Sequence, residues 1–153
     1  MKVPTSAKRS RSLDELAAAL PQRASALTRL FFARTSTGLS RNEVGLLVAL
    51  SARPYRITEL AAREGITQPA VTQLVNRLQR RGWAERRTDP GDGRVVLVGL
   101  TDAGREALER VRSEYRALLH EEMAVLDDAE VETLAAAVEI LDRLIDRLGG
   151  HAR

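Results

Sequence analysis

Apolar residues recur at helical spacing from the start of the readable pattern. Leu13, Leu16, Ala17 and Leu20 share one face, and the spacing resumes at Leu27, Leu30 and Phe31. This predicts a first helix over 12–38, opened by Ser12 and Glu15 at capping-box spacing, kinked or divided at Pro21, and ended near Gly38. The segment 1–11, with Pro4, Ser6, Lys2, Lys8, Arg9 and Arg11, reads as a flexible basic tail. Ser40 and Glu43 repeat the capping spacing ahead of a second helix, Arg41 to about Ala52, with Val44, Leu47, Val48 and Leu50 facing inward and Pro54 as its stop. Residues 57–81 read as two short helices parted at Gly65. After Trp83 the period changes. Val95, Val96, Leu97, Val98 and Leu100 form a strand-like run, preceded by the turn signal Asp89-Pro-Gly-Asp-Gly93, so 83–100 is expected to be a β-hairpin. Thr101 and Asp102 then cap a long helix to about Val125. A last helix, restarted at Asp127-Asp128, carries Val131, Leu134, Ala135, Val138, Leu141, Leu144, Ile145 and Leu148 on one stripe and ends at Gly149-Gly150.

The pair of helices over 57–80 meets the steric needs of a helix-turn-helix. Ala61 is small where the second helix must cross, Gly65 accepts positive φ at the turn, Ile66 plugs the corner, and Val71 and Leu74 return to the core. At about 100° per residue, Val71, Leu74, Val75 and Leu78 form the buried side of the second helix. Pro69, Thr72, Gln73, Asn76 and Arg80 lie opposite, with Arg77 flanking and no carboxylate among them. Gln and Asn can make paired hydrogen bonds to adenine, and Arg can make them to guanine. Thr67 is a natural N-cap whose hydroxyl or neighbouring free N–H groups, including that of Gln68, can meet a phosphate. The plainer reading is a solvated face on a small bundle. A hairpin directly after a helix-turn-helix makes a winged helix and weakens that plainer reading. Arg94 at the tip can enter a minor groove, or can simply pair with Asp92 or Asp89 to stiffen the loop. Arg80, Arg81, Arg86 and Arg87 supply further cations between the helix and the tip.

Charge sharpens this division. Residues 1–51 carry 8 basic and 3 acidic side chains, residues 52–101 carry 9 and 5, and residues 102–153 carry 7 and 13. A basic front suits a polyanionic partner, while the acidic back points to a scaffold away from it. No run approaches the ~18 apolar residues of a membrane span, so a cytoplasmic protein is expected. The 153 residues contain no Cys and 2 His, His120 and His151, which excludes thiol chemistry and a His-rich metal site. Neither a Gly-rich phosphate loop nor a Ser, His and carboxylate pattern stands out, so no enzyme and no cofactor are expected.

Six phrases together resemble the MarR family of bacterial transcription regulators: Thr58-Glu-Leu-Ala61, Gly65-Ile-Thr-Gln-Pro-Ala-Val-Thr72, Leu74-Val-Asn-Arg-Leu78, Arg81-Gly-Trp-Ala-Glu-Arg-Arg87, Asp89-Pro-Gly-Asp-Gly-Arg94 and Leu100-Thr-Asp-Ala-Gly104. The detailed likeness covers about half the chain, from Leu39 to Leu108. It implies a mainly α fold with a small β-hairpin wing. A winged helix-turn-helix domain over 39–100 would join a dimerisation domain built from the 12–38 helix and the 101–150 helices. It implies two-fold dimers that bind successive major grooves of a pseudo-palindromic operator, and release by a small, often anionic phenolic, ligand between the lobes. By the same likeness Thr67, Gln68, Pro69, Thr72, Gln73, Asn76, Arg77 and Arg80 correspond to the recognition helix. Asp92 and Arg94 correspond to the wing's acidic-x-Arg element, with Arg86 and Arg87 behind them. Gly93 departs from the family at a tip position that is frequently basic, which either weakens the minor-groove contact or shifts it wholly to Arg94.

The apolar stripes of the last two helices independently favour a homodimer, since no other large element remains to cover them. The expected function is a homodimeric repressor. The alternative is an activator, or a winged-helix protein-interaction module without ligand response. Without Cys, a thiol switch is unavailable, and by the same resemblance a non-covalent organic ligand is the expected signal. Arg23, Arg29, Phe31, Phe32 and Arg34 are the candidate lining of an effector pocket, against the plainer reading of solvent-facing arginines and buried phenylalanines.

Overall fold

The computed structural model describes residues 6–150. Its elements in order are α1 (Ser6–Arg34), α2 (Arg41–Ala52), α3 (Ile57–Glu64), α4 (Gln68–Arg80), β1 (Ala84–Thr88), β2 (Val96–Leu100), α5 (Asp102–Met123) and α6 (Asp128–Gly150). The chain divides into two units, one ending at Glu114 and one starting at Tyr115.

In the first unit, α1 starts earlier than its cap signal. The segment 6–11, expected as tail, is helical, and residues 1–5 lie outside the described residues. Ser12 does not cap: its hydroxyl donates to the Lys8 carbonyl at 3.1 Å. Ala7, Lys8, Arg9 and Arg11 are good helix formers, and nothing between Ser6 and Ser12 breaks the run. Pro21 does not divide the helix either. It removes one backbone donor from a helix of 29 residues, a local loss that the remaining bonds outlast. Leu13, Leu16, Leu20, Leu27 and Leu30 on α1 are all exposed in the single chain.

α2 opens on a formed capping box. Ser40 Oγ accepts from the Glu43 N–H at 3.3 Å, and Glu43 Oε2 accepts from the Ser40 N–H at 2.9 Å. Its buried residues are Glu43, Leu46, Leu47, Ala49 and Leu50. Val48, expected inside, is 43% exposed. Helix phase explains the correction: Leu47, Glu43, Leu50 and Leu46 form one arc against α3, α4 and β2, and Val48 turns away from it.

The core joins Leu46 and Leu47 to Leu60 of α3, Val71, Val75 and Leu78 of α4, Val98 of β2 and Leu108 of α5, all fully buried. Each such side chain contributes about 1.5–3 kcal/mol on leaving water. β1 and β2 pair antiparallel, from Ala84 opposite Leu100 to Thr88 opposite Val96. A third backbone segment, missed by sequence pattern, adds to this hairpin. Tyr55 N–H donates to Val98 O at 3.0 Å and Val98 N–H to Tyr55 O at 2.8 Å, tying the α2–α3 link to the wing.

The start of α5 locks the wing's base. Thr101 Oγ1 accepts from the Gly104 N–H at 3.0 Å and donates to the Gly82 carbonyl at 2.6 Å, while Thr101 N–H donates to Trp83 O at 3.1 Å. One hydroxyl thus caps α5 and holds the α4–β1 turn.

In the second unit, Asp127 Oδ1 accepts from the Glu130 N–H at 2.8 Å and Glu130 Oε2 from the Asp127 N–H at 3.0 Å, which opens α6 at the expected restart. The apolar stripe of α6 is exposed along its whole length, from Val131 at 49% to Leu148 at 73%. No helix among the described residues is long and apolar enough to cross a membrane.

Candidate nucleic-acid interface

The sequence fixes the entry to α4 locally. Gly65 adopts φ 65°, ψ 30°, and its N–H donates to Ala61 O, while Ile66 N–H also reaches Ala61 O at 3.2 Å. Thr67 then caps α4 by accepting from the Ala70 N–H at 3.4 Å. Pro69 sits in the first turn, where its missing N–H costs nothing. Val71, Leu74, Val75 and Leu78 face the core as expected.

On the opposite side, Gln68, Pro69, Gln73 and Arg80 are exposed. Thr72 is half-buried, and its hydroxyl donates to Gln68 O at 2.9 Å. The first half of α4 therefore presents short polar groups beside the Thr67-capped start of the helix, without a carboxylate.

Two residues of the expected set are engaged elsewhere in the fold. Arg77 Nε donates to Glu43 Oε1 at 3.2 Å, across to the start of α2. Asn76 Oδ1 accepts from an Arg86 guanidinium nitrogen on β1 at 3.0 Å. Sequence reading placed Arg77 and Asn76 on or beside the outer face but could not show these partners, because neither partner lies on α4. Arg87 pairs with Glu85 along its own strand, so its charge is partly offset.

Glu43 is the buried end of the Arg77 pair, with 5% of its surface exposed. Burial works to raise its pKa. Hydrogen bonds from the Ser40 N–H and hydroxyl, and then the Arg77 guanidinium, outweigh burial, so the net direction is down. A lowered folded pKa stabilises the fold at neutral pH, and that contribution is lost as pH falls through the lowered value. The expected result is that urea unfolding midpoints fall on acidification, and fall less in Glu43→Gln, which keeps the shape but not the titration. Equal acid sensitivity in both proteins would remove Glu43 from that role.

The wing tip is held by backbone-directed carboxylates. Asp89 Oδ1 accepts from the Gly91 N–H at 2.8 Å and Asp92 Oδ1 from the Arg94 N–H at 3.1 Å. Val95 N–H donates to Asp92 O at 2.9 Å, and Asp89 N–H to Val95 O at 2.8 Å. Asp92 therefore stiffens the tip through Arg94's backbone. The Arg94 guanidinium is exposed and makes no ion pair among the described residues. A rigid loop carrying an uncommitted cation, beside a helix with a polar outer face, is a surface matched to a phosphate-lined groove.

Residues 37–95 match the sequence profile of the MarR family. An HTH-type transcriptional regulator of Mycobacterium tuberculosis is 31% identical over 120 residues, covering 77% of this chain and 83% of that protein. The chain belongs to the MarR family. It is a DNA-binding transcriptional regulator, not an enzyme. The transcriptional repressor MprA of Escherichia coli is 31% identical over 91 residues, 60% of this chain and 50% of that protein. The apo crystal structure of Escherichia coli MarR has the same fold, with a TM-score of 0.65 at 24% identity over 92% of this chain and 98% of that one.

The five candidate effector residues all stand on α1. Arg23, Arg29 and Arg34 are exposed, and Phe31 and Phe32 are half-buried. An open groove of about 480 Å³ runs along the start of α6, lined by Leu126, Ala129, Thr133, Leu134 and Ala137 among others. None of the five candidates lines it.

Proposed function

We propose that this MarR-family protein is a cytoplasmic homodimeric repressor of a pseudo-palindromic operator, released by a small aromatic or anionic organic ligand. The observation that carries the DNA-contact part is the pairing of an uncharged-to-basic outer face on α4 with the unpaired Arg94 on a rigid tip. Thr67, Gln68, Pro69, Thr72 and Gln73 enter the major groove, Arg80 reaches phosphate, and Arg94 reaches the minor groove. The domains are the winged helix-turn-helix over 39–100 and a dimerisation domain from the 12–38 and 101–150 helices. The exposed leucines of α1 and the exposed stripe of α6 support the second copy, because a contiguous apolar stripe of this length is costly to leave in water. A two-fold dimer then matches half-sites about 10 bp apart, or a multiple of that. Repression takes support from MprA, a relative named as a transcriptional repressor. The organic ligand is the reading that follows from the likeness to the MarR family, and Arg23, Arg29, Phe31, Phe32 and Arg34 are its proposed contacts.

The test is binding of the purified protein to duplexes from its own genomic neighbourhood across a salt series. The expected result is specific binding that falls steeply with salt, as several phosphates are neutralised, by a species that stays dimeric on dilution. Salt-independent binding, or none to any fragment, would overturn the operator reading. A stable monomer would overturn the two-fold one.

A further inference from the structure

We infer that Arg86 sets the base preference of the recognition helix by fixing which way the Asn76 amide points, so that the pair reads guanine rather than adenine. The inference rests on the proposed entry of α4 into a major groove and deepens it.

A guanidinium has only N–H donors. The partner that Arg86 meets on Asn76 at 3.0 Å must therefore be the carbonyl oxygen Oδ1, which leaves the amide Nδ2 as the group not turned to Arg86. The orientation of an Asn amide is usually ambiguous, but here the chemistry of its partner decides it. Arg86 is itself placed by β1, whose register with β2 sets it opposite Val98. The link thus runs from the wing's strand to the recognition helix.

An Asn free to present both atoms matches adenine, accepting from the N6 amino group and donating to N7. Asn76 is not free in this way. A base amino group can reach only the second lone pair of Oδ1, where the positive edge of the amino group meets the cation already donating to the first. An acceptor edge meets attraction from the Asn76 amide N–H, with the Arg86 charge behind it. Guanine offers two adjacent acceptors, N7 and O6, in the major groove. Neighbouring charges do not cancel this. Glu85, the nearest carboxylate along the strand, is paired with Arg87, and the outer face of α4 holds none. Arg86 is in this sense a positioning residue: it acts on specificity through Asn76.

The test selects duplexes from a library of about 20 randomised base pairs, enough for two half-sites one helical turn apart. Wild type, Asn76→Ala, Arg86→Ala and Arg86→Lys are compared, with thermal unfolding as a check on folding. For wild type, one guanine per half-site is expected whose replacement by 7-deazaguanine weakens binding about tenfold. That sensitivity should vanish in Asn76→Ala. Arg86→Lys should keep the guanine, since an ammonium also only donates. Arg86→Ala should shift the same position toward adenine and make binding depend on the N6 amino group. The inference is overturned if Arg86→Ala selects the wild-type base, if the Asn76-dependent position in wild type requires an N6 amino group, or if no selected position depends on Asn76. Failure of every folded protein to enrich any duplex is a different result, and overturns the operator reading itself.

Discussion

Gly104→Ala is expected to cost about 2–3 kcal/mol of folding stability, read as a lowered urea midpoint with an unchanged slope. A Cβ built at Gly104 collides with the Trp83 carbonyl oxygen and lies 2.7 Å from Leu100 Cδ1. The side chain could shift, but the carbonyl cannot readily do so. It accepts from the Thr101 N–H, and the preceding Gly82 carbonyl accepts from the Thr101 hydroxyl. Against the clash stands a helix-propensity gain of about 1 kcal/mol for Ala over Gly, which the stated cost already includes. Gly93→Ala is the control: nothing lies within 4 Å of a Cβ there, so a change within about 0.5 kcal/mol is expected. If both variants unfold at the wild-type midpoint, α5 is not locked to the base of the wing as described.

Arg94→Ala is expected to weaken operator binding by about 10- to 100-fold and to reduce the salt slope by about one. The fold of the tip should survive, because Asp92 accepts from the backbone N–H of residue 94 and not from its side chain. The loss should also be similar across operator sequences, since a minor-groove cation reads groove width and potential more than base identity. This separates it from changes at Gln73 or Asn76, which should alter preference between sequences. Unchanged affinity in a folded Arg94→Ala protein would mean that the wing does not touch DNA.

Much of the winged helix was legible in the chain because its signals are local. Ser40 with Glu43, Thr67, Gly65 and, in its capping of the Gly104 N–H, Thr101 act on backbone groups within four residues, so their spacing is their mechanism. The buried face of α4 was legible for the same reason: a helix repeats every 3.6 residues whatever it packs against. At the edges the local rules misled. Ser12 carries a cap signal but lies inside α1, because a cap works only where the helix starts and nothing upstream stops it. Val48 fits an apolar spacing but faces out, because the neighbours of α2 lie on the arc of Leu46, Leu47 and Leu50.

The sequence by itself determined the order of elements, the polar outer face of α4, the turn at the wing tip and the absence of cysteine thiols. Only the tertiary structure decided what the side chains of that face are free to do. Arg77 meets Glu43 across 34 residues of chain and Asn76 meets Arg86 across 10, while Tyr55 joins Val98 from outside the hairpin. The physical reason is the range of the forces involved. Caps and helical periodicity act within a turn of backbone, whereas a hydrogen bond between side chains depends on where packing places two distant elements, to within a few tenths of an ångström.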